Sequence, residues 1–182
     1  NPRDFVLNKW KRVDRPPYGG GPGLVIEALP VIKAIQKAIG KSKNTKIIFL
    51  SPSGKQFTNQ YATTVAKKYK HVVIVCGRYE GIDARVKKVF KVDEISVGPF
   101  ILTGGELPAM IILDVIARQV PGVLGNFDSI EERRISSNEV YTRPEACSYK
   151  GKKYRGPSIL LAGHKANIEE LKKGRKYKPV CA

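Results

Sequence analysis

Three segments of the chain share one design, an apolar run that stops abruptly in small residues. They are Phe49-Leu-Ser-Pro-Ser-Gly54, Val75-Cys-Gly-Arg-Tyr-Glu-Gly81 and Val97-Gly-Pro-Phe-Ile-Leu-Thr-Gly-Gly-Glu106. Glycines at such turns let the backbone approach a ligand closely, and exposed amides and carbonyls can read the edge of a purine. Any one of these turns alone is more often a tight turn and nothing else. Three of them point to a shared pocket. The familiar nucleotide fingerprints do not explain them, because no G-x-G-x-x-G follows an apolar run and no GxxxxGK[ST] is present. The run from Gly19 to Gly23 is broken by a proline, and no G-x-S-x-G elbow occurs.

A shared pocket needs a scaffold that brings the three turns together. Lys46 to Leu50, His71 to Cys76 and Asp93 to Val97 read as short strands, the first two buried, and the first enters a turn at Ser51-Pro52. Between them, Pro30 to Ile39 places Val31, Ile32, Ile35 and Ile39 at helical spacing. Thr58 to Lys70, Glu80 to Val89 and Leu107 to Val120 complete the helices, with Pro108 suited to a first turn. Strands alternating with helices predict an α/β fold, a mostly parallel sheet covered on both faces. In such a sheet the turns at the carboxyl ends of the strands converge on a crevice that binds ligands.

Charge names a kind of partner. The 182 residues carry 33 Lys and Arg against 16 Asp and Glu, a net charge of +17. No acid lies between Glu27 and Glu80, and a second basic block runs from Lys150 to Lys178. Such a field attracts phosphate backbones, although a lysine-rich surface of no special purpose would look similar. Cys76, Cys147 and Cys181 are odd in number and form no CxxC, which fits a reduced, cytoplasmic protein better than a disulfide framework. With His71 and His164 as the only histidines, no metal site is expected. There is no run of 18 apolar residues and no leader, so neither membrane span nor secretion is expected. The Asn1-Pro2 start reads as a chain whose own N-terminus has been lost.

Five stretches then acquire a joint meaning: Tyr18-Gly-Gly-Gly-Pro-Gly23, Gly77-Arg-Tyr-Glu-Gly-Ile-Asp83, Leu102-Thr-Gly-Gly-Glu-Leu-Pro-Ala109, Pro121-Gly-Val-Leu-Gly125 and Tyr141-Thr-Arg-Pro-Glu145. In order and approximate spacing they closely resemble TrmD, the bacterial tRNA (guanine-N1)-methyltransferase family. The resemblance implies the SPOUT class, an α/β sheet flanked by helices and threaded into a deep trefoil knot, which general topology rules would not propose. It also implies S-adenosylmethionine as methyl donor, tRNA as substrate and a homodimer that completes each active site between two chains. The target is the guanosine 3′ of the anticodon, position 37 by tRNA convention, when another guanosine precedes it. Magnesium dependence is a further family implication, without a ligand cluster here to declare it. By the same resemblance, residues 1–125 are the methyltransferase domain, without the family's first strand. Residues 126–140 are a flexible catalytic loop, and 141–182 begin a tRNA-binding region, the remnant of a helical C-terminal domain.

Site residues carry over position by position. Leu50, Ser51 and Pro52 match the first donor loop. Gly77, Tyr79, Glu80 and Gly81 match the second. Val97, Gly98, Pro99, Phe100, Ile101 and Leu102, with Gly104 and Gly105, match the third, Pro99 replacing an acid common in relatives. Guanine N1 bears a proton and attacks poorly until it leaves, so a carboxylate general base is expected. Charge then moves onto O6, which a cation should stabilise, and the rest is alignment. Arg118 matches the family's arginine after the long helix. Asp128-Ser129 preserves the family's Asp-Ser pair in a shortened loop, and Asp128 is assigned the base, although counting from Gly125 falls nearer Glu132 and Arg133. The segment Val13 to Tyr18 lacks the family's usual two-acid form, and Leu171 stands where a tryptophan is usual. Two other readings remain open: a knotted methyltransferase acting on a ribose 2′-hydroxyl or another base, and a basic RNA-binding protein without catalysis.

Overall fold

A computed structural model describes residues 1–125, 139–160 and 168. The chain divides into two compact units, Asn1–Val123 and Leu124–Ala182. The first unit opens with a short 3-10 turn, Pro2–Phe5, followed by β1 (Asp14–Arg15), β2 (Val25–Ile26) and α1 (Ala28–Ile39). It continues through β3 (Thr45–Gln56), α2 (Asn59–Lys68), β4 (His71–Val75), α3 (Arg85–Val89), β5 (Asp93–Ser96) and α4 (Glu106–Ala117). Strands β4, β3 and β5 lie side by side in that order and run parallel, as the alternation of strands and helices predicts. The two-residue strands β1 and β2 pair antiparallel apart from this sheet.

Period-2 alternation along β3 explains why both faces are covered. Ile47 and Phe49 face one way and pack with Val31 and Ile35 of α1, Val75 of β4 and Val86 of α3. Ile48 faces the other way, among Ala62 and Val65 of α2, Ile95 of β5, and Ile112 and Ile116 of α4. Ile48 and Ile112 are fully buried; each contributes about 1.5–3 kcal/mol by leaving water. Helix α2 begins where the Thr58 hydroxyl accepts the Tyr61 amide at 3.1 Å. Helix α1 stops at Gly40, whose φ of 55° no longer continues it.

The structure differs from the sequence expectation in three places. Strand β3 does not end at Leu50. Leu50 and Lys55 both pair with Ile95, so the Ser51–Gly54 stretch loops out of the ladder and the strand resumes beyond it. Helix α3 starts at Arg85 and not near Glu80, because Tyr79 and Gly81 take positive φ, 58° and 114°, which no helix accommodates. Helix α4 stops at Ala117, and its continuation to Val120 is a pair of turns. Of the expected loop 126–140, residues 126–138 lie outside the described residues, as does Leu171.

One polar cluster ties β3, β5 and α2 together. Asp93 pairs with Lys46 and accepts the Tyr61 hydroxyl at 2.9 Å. Burial by itself would raise the Asp93 carboxyl, but the hydrogen bonds from Lys46 and Tyr61 outweigh it and hold the group below its ordinary 3.8. Burial, then the Asp93 hydrogen bond, pushes the Tyr61 phenol well above its usual range. A carboxyl depressed in the folded state stabilises fully above its unfolded value and loses that contribution as pH falls through the folded one. Thermal denaturation should therefore show melting temperature dropping below the ordinary carboxylate value of 3.8, with a shallower drop in Asp93→Asn. The Asn variant should also melt lower at neutral pH, because Lys46 loses its counter-charge.

In the second unit, Ala146–Tyr149 (β6) and Lys152–Arg155 (β7) form an antiparallel hairpin, followed by a 3-10 turn at Ser158–Leu160. The two-residue connection, Lys150-Gly151, has positive φ at both positions, 47° and 74°. That geometry matches the right-handed twist of paired strands.

Candidate functional site

Because β3, β4 and β5 run parallel, their carboxyl ends lie on one side of the sheet, and the three glycine turns meet there. They enclose a single cleft. Its first wall is Leu50, Ser51 and Pro52, the start of the segment that leaves β3. Gly54 closes that detour against β5, where an added Cβ would lie 2.6 Å from the Ile95 amide nitrogen.

The second wall is the loop after β4. The Gly81 amide bonds back to the Arg78 carbonyl at 3.0 Å, closing a turn that points Tyr79 and Glu80 outward. Backbone bonds from Glu80 N to Leu24 O and from Ile26 N to Gly81 O, both 3.0 Å, fasten the loop to the glycine-rich segment before β2. Gly23 fits there because a Cβ would meet the Glu80 side chain at 2.5 Å. The loop ends where the Asp83 carboxylate takes the Arg85 amide at 2.9 Å and starts α3.

The third wall runs from Val97 to Gly105. The Ser96 hydroxyl, buried, donates to the Gly98 carbonyl at 2.9 Å and fixes the first bend. At the other end the Gly105 amide bonds the Gly77 carbonyl at 2.9 Å, and Arg78 and Gly104 form an antiparallel bridge. Gly105 is pressed onto β4's exit so closely that a Cβ would lie 2.6 Å from the Cys76 Cα. Arg78 Nε also meets Glu106 Oε1 at 3.0 Å. The amide of Glu106 itself, and then Arg78, hold the Glu106 carboxyl below its ordinary value. The second and third walls are thus joined by main chain, by steric fit and by one exposed ion pair.

The cleft gathers every expected donor-loop residue except Gly98 and Pro99. Gly98 lies beneath the Phe100 ring, which an added Cβ would strike at 2.2 Å, and Pro99 points to solvent. It also includes residues that sequence reading passed over: Arg78, Ile95, Ser96, Thr103 and Pro108. Arg78 and Thr103 sit inside the motifs, and attention to side chains between glycines would have found them. Ile95, Ser96 and Pro108 carry no signal beyond their place at the ends of β5 and α4. Ile101, 85% exposed, and the half-exposed Phe100 and Tyr79 leave apolar surface at the mouth for a flat ligand to cover.

The two residues expected to act in catalysis stand differently. Arg118 caps the C-terminus of α4, donating its amide to Asp114 O at 3.0 Å. At 1.5 Å per residue it lies about 20 Å along the helix from Gly105, and it does not line the cleft of its own chain. Asp128 lies outside the described residues. Among the described residues no group of His, Cys, Asp or Glu could hold a metal ion, and no helix is long and apolar enough to cross a membrane. Beside the cleft, and sharing Tyr79 with it, runs a groove lined by Arg3, Trp10, Arg12 and Arg15, with Trp10 71% exposed. Sequence reading missed it, although a lone tryptophan between Lys9 and Lys11 is its signal.

Comparison with known proteins agrees with this geometry. The family described as tRNA (Guanine-1)-methyltransferase TrmD matches residues 1–180. A tRNA (guanine-N(1)-)-methyltransferase of Campylobacter jejuni subsp. doylei is 46% identical over 176 residues, 94% of this chain and 75% of the relative. Proteins of the same name from Desulforamulus reducens and Buchnera aphidicola are each 43% identical, over 95% and 92% of the chain and 68% and 71% of their own lengths. The match runs through all three walls of the cleft, and the chain belongs to the TrmD family of tRNA (guanine-1)-methyltransferases.

Proposed function

We propose that this protein transfers the methyl group of S-adenosylmethionine to N1 of the guanosine 3′ of the anticodon in tRNA, position 37 by convention, when a guanosine precedes it. The observation that carries the proposal is the cleft at the carboxyl ends of β3, β4 and β5, in a chain of this family. Its residues fit a nucleoside donor. Val97, Ile101 and Leu102 offer aliphatic contact to a purine, and the glycine-bounded backbone at Gly77, Gly81 and Gly104 offers amides and carbonyls to its edge. When bound, the donor supplies an electrophilic methyl on a sulfonium with a good leaving group. The side chains then have two tasks. Asp128 takes the N1 proton, and Arg118 stabilises the charge that develops on O6.

One chain supports only part of this site. Arg118 is remote from the cleft of its own chain, so we assign it to the cleft of a second copy in a homodimer. Helix α4 favours that arrangement, since it is mostly apolar and leaves Leu107, Met110, Ile111 and Leu113 exposed. The three walls belong, in this reading, to a deep trefoil knot, within a methyltransferase domain of residues 1–125. A catalytic loop follows at 126–140, and residues 141–182 begin the tRNA-holding region. Magnesium, a family implication, finds no ligand group among the described residues, and no step is assigned to it. The reading places the enzyme in the cytoplasm, with tRNA.

Isothermal calorimetry tests the donor half directly. S-Adenosylmethionine should bind saturably, at one site per chain or one per dimer. Absence of any binding heat at millimolar donor would remove the proposal.

A further inference from the structure

Among the described residues the hairpin of β6 and β7 has no evident folding role. Apart from half-buried Ala146, every residue of the two strands is exposed, so neither face packs into a core. An isolated two-stranded hairpin is marginal in water, and register is weakly specified where neither face is buried. Here the positive-φ turn at Lys150-Gly151 sets the register, Tyr149 opposite Lys152 and Cys147 opposite Tyr154. Alternation then gives two faces of different chemistry. One presents Tyr149 and Tyr154 with Lys152; the other presents Lys153 and Arg155 beside the small residues Ala146 and Ser148. Tyr149 is 64% and Tyr154 48% exposed. Each ring carries a lysine, with Lys150 Nζ 5.5 Å from the Tyr149 centroid and Lys152 Nζ 5.5 Å from that of Tyr154. No acid occurs between Glu145 and Glu169.

We infer that the 146–155 hairpin is an RNA-contacting finger, whose tyrosines stack on an unpaired base while Lys150, Lys152, Lys153 and Arg155 neutralise neighbouring phosphates. Exposed aromatic rings beside uncompensated cations are the chemistry that single-stranded RNA recognises. An acidic protein surface would use the charges but leave the rings idle. The inference rests on the reading of tRNA as substrate and narrows it to one element and one mode of contact.

The test uses the full chain and a fluorescein-labelled anticodon stem-loop RNA, followed by anisotropy across a salt series. Y149A/Y154A should weaken binding between about five- and a hundredfold with the salt slope unchanged. Y149F/Y154F, which keeps the rings, should bind like the parent chain. K150Q/K152Q/K153Q should weaken binding and flatten the slope of log affinity against log salt by about 2–3. Donor affinity, and turnover at saturating RNA, should be unchanged in all three. Parental RNA affinity in both the alanine and the glutamine variants would overturn the inference, and the finger would then serve another partner. A failure of the methyltransferase reading looks different: the parent chain would bind the RNA, lose affinity in these variants, and transfer no methyl group.

Discussion

Gly105→Ala is expected to cost at least a hundredfold in affinity for S-adenosylmethionine, about 2.7 kcal/mol. The cause is steric, not conformational. Gly105 has φ −81° and ψ −4°, which alanine adopts without strain. Its Cβ, however, would lie 2.6 Å from the Cys76 Cα, 2.8 Å from the Cys76 Cβ and 3.0 Å from the Gly77 nitrogen. None of those atoms is the tip of a flexible side chain. Relief requires the third wall to separate from the end of β4, which breaks the 2.9 Å bond from Gly105 N to Gly77 O and opens the cleft. Overpacking of this kind also destabilises by about 1–3 kcal/mol, visible in denaturant unfolding. Gly125→Ala is the control. Nothing lies within 4 Å of its added Cβ, and its backbone is not left-handed, so donor affinity should be unchanged. If Gly105→Ala bound the donor normally in calorimetry, the cleft would not be the donor site.

Arg118→Ala should lower kcat by about 10²–10³, and Asp128→Ala by about 10²–10⁴. Both should leave donor affinity intact, because neither residue belongs to the donor loops. Full activity in Asp128→Ala would move the base to another loop acid, Glu132 first. The arginine offers a sharper experiment. In the proposed homodimer, each site combines the cleft of one chain with Arg118 of another, because Arg118 stands at the far end of α4 from its own cleft. Gly105→Ala chains lack a working cleft, and Arg118→Ala chains lack the cation. Mixed after reversible dissociation, they should form dimers in which one composite site is intact, recovering about a quarter of parental activity. No recovery, with mixed dimers demonstrated by mass, would place Arg118 and the cleft in the same chain.

Much of the scaffold was legible because its signals are local. Ile47, Ile48 and Phe49, and Val72 to Val75, are continuous apolar runs of the kind a strand buried on both faces requires, and the helices between them have matching apolar stripes. The donor turns were legible as well, since glycine, proline and serine mark where the chain must bend. Long-range geometry was less so. That Lys55 returns to pair with Ile95 depends on β5, forty residues away in sequence, and no local pattern encodes it. Arg78 and Glu106 meet for the same reason, being neighbours only once two strands are parallel. The distance of Arg118 from its cleft emerges only from the length of α4. Methyl donor, guanine and knot were not readable from pattern at all and came with the family motifs.

The cleft is proposed to serve methylation of guanine N1 beside the anticodon. The most direct test incubates the protein with isotope-labelled S-adenosylmethionine and two tRNA transcripts that differ only at position 37, guanosine in one and adenosine in the other, followed by digestion to nucleosides. Label is expected in 1-methylguanosine from the first transcript and none from the second. Equal labelling of both, or label recovered on a ribose, would contradict the proposal.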